Sequence, residues 1–379
     1  MPAFSKKRLF TLLCLVFLIL FTACSDDDGF EGYSLPQALR HMLNEVIVTY
    51  QAPGAAMAIR YEDGSVFSYA SGLADRKTQT PLTPQHLFRI GSASKTVTAS
   101  AVLILYQQGL LSLDGAVESI LPGLIPVYGN QITVRMLLNH TSGLEDYVAC
   151  PYEGSFFFYV LIDQPTRSWT PQELVAISLD CGLNAPPGQT FLYSNTNYIL
   201  LGLIIEAVSG QNYEDFIQTN IFDVLGMQNS VVPVQTGFPG DFAHGYFERD
   251  KDGLLYDYSI QSPTAVWAAG SIISTPADLL VWVEALTTGR LLTQDAFDQQ
   301  FQLVDMGEEG GGVAMYGLGI LAAGNDIGHN GSVLGYQTQM FTTRGVHIVV
   351  YTNCYYQTKD NVSQVIFEKA KEILEAYGK

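Results

Sequence analysis

Two periodicities share this chain, and the places where one gives way to the other outline its architecture. From Pro36 to Tyr50 apolar residues recur at helical spacing, with Leu39, Leu43, Val46 and Ile47 on one side. Two short apolar runs follow, Ala55 to Tyr61 and Val66 to Tyr69, around Glu62-Asp-Gly-Ser65; Asp63-Gly64 predicts a hairpin turn. The far end repeats the arrangement. Tyr336 to Thr342 and Val346 to Asn353 flank Thr343-Arg-Gly345, and an amphipathic helix is predicted from Val362 to Ala376. Between these ends the pattern is helical: Ser92 to Gln108, Val134 to Leu138, Pro171 to Leu179, Asn197 to Val208, Tyr213 to Ile221 and Pro276 to Thr287. Gly310-Gly-Gly312 predicts a loop. The expected fold is α+β: an antiparallel sheet from the N- and C-terminal segments, flanked by helices, with an all-helical lobe inserted roughly at 92–265. A site is expected where the lobes meet.

The first residues fit none of these patterns. Lys6, Lys7 and Arg8 precede an apolar run from Leu9 to Phe21, too short for a membrane span, which predicts a signal peptide over 1–23. Phe21-Thr-Ala-Cys24 resembles a bacterial lipobox, which makes Cys24 the candidate lipidated N-terminus. Residues 24–34, with Ser25-Asp-Asp-Asp-Gly29, read as a solvated tether, leaving 35–379 as the folded domain. The expectation is an exported lipoprotein at the periplasmic face of the envelope or at the cell surface. In that compartment Cys150 and Cys181 are candidates for a disulfide, while Cys354 ends an apolar strand and reads as a buried small hydrophobe. The formal net charge of −18 excludes a nucleic-acid partner. No Cys/His cluster has metal-ligand spacing, so neither a metal nor a cofactor is expected.

The candidate chemistry starts at Phe88-Arg-Ile-Gly-Ser92-Ala-Ser-Lys95. Ser92 and Lys95 stand three apart at the start of a helix too apolar to be solvated, so both side chains point the same way. Burial disfavours the charged form of a lysine, and a neutral amine can take a proton from a serine hydroxyl. A second element would carry protons near Ser92. Tyr-x-Asn occurs at Tyr128, Tyr193 and Tyr351. Tyr351 lies in an apolar strand and Tyr128 in a Pro/Gly loop. Tyr193-Ser-Asn195 sits between the turn Pro186-Pro-Gly188 and a buried-looking helix, which selects Tyr193 and Asn195. The third element is His329-Asn-Gly331-Ser332, leading into the C-terminal hairpin; a glycine there lets a substrate approach the strand closely. The amides of Ser92 and Ser332 would form an oxyanion hole. Lys251-Asp-Gly253 competes for this role but lies in a polar run that reads as a solvated turn.

In this order the three elements resemble the serine beta-lactamase and penicillin-binding-protein superfamily. The closer likeness is to class C beta-lactamases and related D-alanyl-D-alanine carboxypeptidases. Leu137-Leu-Asn-His-Thr-Ser-Gly-Leu144, Phe191-Leu-Tyr-Ser-Asn-Thr-Asn-Tyr-Ile-Leu-Leu-Gly202 and Ala265-Val-Trp-Ala-Ala-Gly-Ser271 extend it over nearly the whole chain from Leu35. The resemblance implies that Ser92 is the acylated nucleophile, that Lys95 helps deprotonate it and that Tyr193 relays protons. It implies further that Asn195 orients Lys95 and holds the substrate amide, that Trp267 lines the cleft and that His140 caps its own turn. Class C enzymes carry a lysine where this chain has His329. With an ordinary pKa near 6.5 this histidine is expected to be partly cationic near neutrality and to grip a carboxylate less constantly. No arginine lies in 316–326 to assist it.

The reading is thus an exported serine hydrolase that forms an acyl-enzyme on Ser92. Its substrates would be D-Ala-D-Ala-type peptides or related small amides and esters, with a class C-like beta-lactamase or an esterase as the alternative. A non-catalytic binding lipoprotein of the same fold is a further alternative, against which the intact Ser92, Lys95 and Tyr193 argue. An α/β-hydrolase is excluded because no Gly-x-Ser-x-Gly occurs. Gly317-Leu-Gly-Ile-Leu-Ala322 resembles a dinucleotide fingerprint, but no helix or acidic partner follows; an ordinary strand is expected there.

Overall fold

A computed structural model describes residues 32–379; the predicted signal peptide and Cys24 lie outside the described residues. The main helices are α1 (Leu35–Tyr50), α2 (Ser94–Gln107), α3 (Asn195–Ser209), α4 (Pro276–Thr288) and α5 (Val362–Ala376). The strands of the main sheet are β1 (Gly54–Arg60), β2 (Val66–Asp75), β3 (Thr80–Pro81), β4 (Val304–Asp305), β5 (Ala314–Tyr316), β6 (Leu321–Ala323), β7 (Asp326–Val333), β8 (Tyr336–Thr343) and β9 (Val346–Thr352). They run in the order β4-β5-β6-β7-β8-β9-β1-β2-β3, each antiparallel to its neighbours. The two ends of the chain meet where β1 pairs with β9, Ala56 opposite Tyr351.

Both faces of the sheet are covered, which explains why β1 and β9 read as apolar runs rather than as alternating strands. Ala55, Met57 and Ile59 of β1 and Ile348 and Val350 of β9 share one apolar cluster with α1 and α5. Ala56, Ala58, Val349 and Tyr351 point the other way, into the cluster formed with α2, α3 and α4. The tight turns match their backbone demands. Arg344 and Gly345 join β8 to β9 with φ of 46° and 80°, positive at both central positions as a two-residue hairpin turn requires.

Four expectations need correction. The helix predicted from Ser92 starts at Ser94, because Gly91–Ala93 form a 3₁₀ turn that Gly91 enters at φ 56°. The stretch from Tyr213 is not one regular helix; it widens to π geometry over Gln218–Phe222 before one closing turn. The inserted lobe is not all-helical, since Pro151–Tyr152 and Ser155–Phe156 form a ribbon whose turn uses positive φ at Glu153 and Gly154. Residues 317–320 form a turn instead of a strand, and only Leu321–Ala323 pair. Gly319 holds a positive φ there, and a Cβ on it would lie 2.2 Å from the Ala99 methyl of α2. Cys150 and Cys181 are joined as a disulfide with Cα atoms 6.1 Å apart, tying the ribbon to the helix Pro171–Cys181. Cys354 is buried and unpaired, and burial pushes its thiol up to about 12.

Candidate active site

The Ser92 turn is pressed directly onto β7. A Cβ on Gly331 would stand 2.0 Å from the Ile90 carbonyl oxygen, and one on Gly91 would stand 2.7 Å from the Ser332 nitrogen. Two glycines facing each other allow this backbone-to-backbone approach. The approach that Gly331 permits is therefore that of the serine's own turn; the expectation of a substrate against that face is corrected on this point. On the other side Phe88 stacks on Tyr351, with ring centroids 3.7 Å apart, which gives Tyr351 the packing role expected of it. From Leu87 to Leu105 every residue is buried except Ser92, so the hydroxyl reaches solvent from an otherwise closed segment.

Lys95 is fully buried one 3₁₀-like step further on. Its Nζ lies 3.1 Å from Ser92 Oγ, 2.7 Å from Asn195 Oδ1 and 2.8 Å from the Ala269 carbonyl oxygen. The amide and peptide oxygens can only accept, so the amine donates to both. The hydroxyl can do either. As the ammonium, Lys95 donates to all three oxygens; on losing a proton it would keep two N–H donors for Asn195 and Ala269 and turn one lone pair toward Ser92. The geometry thus fits a base aimed at the serine.

Tyr193 and Asn195 enter at the start of α3. His140, held at φ 59°, fixes their backbone: its carbonyl accepts from the Leu192 N–H at 2.8 Å and its Nδ1 from the Ser194 N–H at 3.2 Å. Its ring also lies 4.3 Å from that of Tyr193. Burial, reinforced by Lys95 and His329, holds its pKa well below the usual range, so it packs as a neutral ring. The Tyr193 ring centroid is 5.0 Å from Lys95 Nζ. The Tyr193 N–H donates to Glu309 at 3.3 Å, a carboxyl that burial raises to about 7. Asn195 Nδ2 donates to Asp146 Oδ2 at 2.8 Å. Asp146 is buried in the 3₁₀ turn it caps, accepting from the Val148 N–H at 3.1 Å. Asp146, Glu309 and the Ala269 carbonyl escape sequence reasoning. Asp146 stands two residues after the Asn139-to-Leu144 segment, but nothing local marks it as a partner of a residue 49 positions away.

The sheet wall differs from expectation. His329 is 1% exposed and does not present a cation. Its Nδ1 bonds to the Asn330 carbonyl oxygen, so that nitrogen carries the proton, and Nε2 accepts from the Tyr316 hydroxyl at 2.9 Å. Burial brings its pKa down to about 3, overcoming the Asn330 bond that raises it. The partly cationic histidine is thus corrected to a neutral one. Trp267 is half-buried. Its indole fills the notch left by Gly202, where a Cβ would lie 2.6 Å away, and meets Tyr213 edge-on at 5.2 Å. The same segment reaches Lys95 through the Ala269 carbonyl. Ser332 is half-buried on β7 beside Gly91. An open depression of about 490 Å³ lies between 162–165 and 244–260, and none of Ser92, Lys95, Tyr193 or Asn195 lines it. Among the described residues no acidic, His or Cys cluster could hold a metal ion.

The family model described as Beta-lactamase matches residues 37–370. The chain belongs to the beta-lactamase family. Its relatives include penicillin-binding protein 4* of Bacillus subtilis (strain 168), 30% identical over 309 residues, which cover 77% of this chain and 65% of that protein. The match therefore spans just under two-thirds of that relative's length. Among solved structures, D-amino acid amidase from Ochrobactrum anthropi SV3 in complex with L-phenylalanine amide aligns with a TM-score of 0.80 at 27% identity, covering 91% of this chain and 100% of the other. A D-stereospecific amidohydrolase from Streptomyces sp. aligns at 0.78 and 29%, covering 88% and 97%. Family and neighbours give this chain the beta-lactamase and penicillin-binding-protein fold.

Proposed function

We propose that this chain is an exported amide hydrolase that works through an acyl-enzyme on Ser92. The observation that carries the reading is the buried Lys95, 3.1 Å from the one accessible hydroxyl of its segment and committed as donor to two carbonyl oxygens. In the proposed sequence Ser92 Oγ bonds to the substrate carbonyl carbon while its proton passes to Lys95 Nζ. The Ser92 and Ser332 amides receive the oxyanion. Lys95, through Tyr193, returns the proton to the leaving amine as the C–N bond breaks. Water then attacks the ester by the reverse relay and frees Ser92. Asn195 anchors Lys95 through Oδ1.

The neutral His329 bears on substrate choice. Without its charge, His329 offers no ionic grip for a terminal carboxylate. We therefore rank small amides and short peptides without such a demand, including D-aminoacyl amides, above peptides ending in free D-Ala-D-Ala. The likeness to a D-amino acid amidase and a D-stereospecific amidohydrolase supports that order. Hydrolysis of a beta-lactam or an ester is the competing outcome. A panel measured side by side separates these: D-phenylalanine amide, a D-Ala-D-Ala-terminated peptide, a cephalosporin and a short-chain ester, each with S92A as control. Amide turnover that S92A abolishes is expected; turnover that survives S92A contradicts the reading. Export and lipidation at Cys24 are part of the proposal. Radiolabelled palmitate incorporation that C24A abolishes tests the anchor.

A further inference from the structure

Beyond Lys95 the donor chain runs one step further than the three motifs require. Ser92 Oγ, Lys95 Nζ, Asn195 and Asp146 are linked by contacts of 3.1, 2.7 and 2.8 Å. The chain ends on a carboxylate that is 5% exposed. An asparagine amide has two faces, and either can turn toward a neighbour. Lys95 can use only the oxygen face. A carboxylate beyond it accepts only from the nitrogen face, so Asp146 makes the useful orientation the one with every group satisfied. The second carboxylate oxygen accepts from the Val148 N–H at 3.1 Å, which fixes the carboxylate to its own turn. Glu145, in that same turn, accepts through its backbone carbonyl from Thr196 at 2.8 Å and from Ser194 at 3.2 Å, binding the turn to the start of α3.

We propose that Asp146 is a positioning residue: its carboxylate holds the Asn195 amide with Oδ1 toward Lys95 and so sets where the amine sits beside Ser92. The inference rests on the reading of Ser92 as nucleophile and Lys95 as its base. The charge of Asp146 adds a second effect. The groups that face it are Lys95 from α2, Glu145 and Tyr147 from its own turn, and Glu309 from the 3₁₀ turn Gly307–Gly310. Of these only Lys95 carries positive charge, and a carboxylate nearby favours the ammonium over the amine. Burial raises the Asp146 carboxyl itself, against the opposing pull of the Val148 N–H, Lys95 and Asn195. Removing the charge frees Lys95 to be neutral at lower pH.

The test is the rate of Ser92 labelling by a fluorophosphonate, in which the Oγ–P bond forms, fluoride leaves and the serine proton goes to the base. Wild type, D146N, N195A and the double variant are compared from pH 5 to 9. D146N offers one acceptor where two are needed, so the plateau rate is expected to fall roughly tenfold or more. Its acid limb is expected to move to lower pH. In the N195A background D146N is expected to change the plateau less than twofold, because the two act through one link. Should D146N not fold, D146S replaces it, since serine keeps the cap on Val148 while removing the charge and the Asn195 contact. A limb and plateau equal to wild type, or a loss that adds fully to that of N195A, overturns the inference. Failure of wild type to label, or labelling that survives in S92A, overturns the underlying reading instead.

Discussion

The two walls of the site are built on different principles. The helical wall carries Lys95, Asn195 and Asp146, buried polar groups in a continuous hydrogen-bonded line. The sheet wall carries Gly331, Ser332 and a neutral His329 whose ring nitrogens are occupied by the Asn330 carbonyl and Tyr316. In the proposed mechanism one wall moves protons with side chains. The other approaches with backbone and leaves its only titratable ring out of charge chemistry. In that mechanism reactivity rests on the side chains of the helical wall, and His329 brings no charge to substrate choice.

The largest break in that contrast is S92A, expected to abolish covalent labelling and turnover; the readout is intact-protein mass after labelling. Next is K95M, which keeps the length of the side chain but removes the base and leaves the Asn195 and Ala269 oxygens without this donor. A loss of about 10³-fold in acylation rate is expected, in line with general-base contributions of about 10² to 10⁴. On the sheet wall G331A forces a methyl toward the Ile90 carbonyl, where only 2.0 Å is open. A stability loss of about 2 kcal/mol or more is expected in a denaturant melt, and on the order of a hundredfold loss of rate as the Ser92 turn shifts. H329Q is the mildest. It is expected to change turnover at pH 7 less than threefold, whereas a cationic anchor would cost far more.

His329 also has a stability signature. Its pKa falls from the ordinary value to about 3 on folding, so between those values the unfolded chain binds more protons. Its contribution is fully present above about pH 6.5 and is lost as pH falls toward 3, by up to about 1.4 kcal/mol per pH unit. His140, also held well below its usual pKa, adds a slope of the same sign. Denaturation midpoints from pH 7 to 4 should fall in wild type and fall less steeply in H329Q. Equal slopes would contradict the buried neutral ring.

Much of this was legible in the chain because it is local. Helical periodicity marked α1 and α5, Asp63-Gly64 and Arg344-Gly345 marked the hairpins, and Ser92 and Lys95 are three residues apart. Tyr193 was separable from Tyr128 and Tyr351 because only it stands at a loop-to-helix junction. The strands Val304–Asp305 and Ala314–Tyr316 were not visible, being two and three residues long, and the strand expected over 317–322 was misplaced by its glycines. Asp146 and Glu309 meet Asn195 and Tyr193 only through long-range folding. The charge of His329 was misjudged for the same reason. An isolated histidine is half-cationic near its ordinary pKa, and only the fold shows Tyr316 closing over it.

The most direct measurement of the central claim is peptide mapping after reaction with a fluorescent penicillin and with a fluorophosphonate. With both, the adduct should fall on the tryptic peptide Ile90–Lys95, at Ser92, and K95M should slow its formation by about 10³-fold at pH 7.5. An adduct on another residue, or one that forms in K95M at the wild-type rate, would contradict a serine activated by its buried lysine.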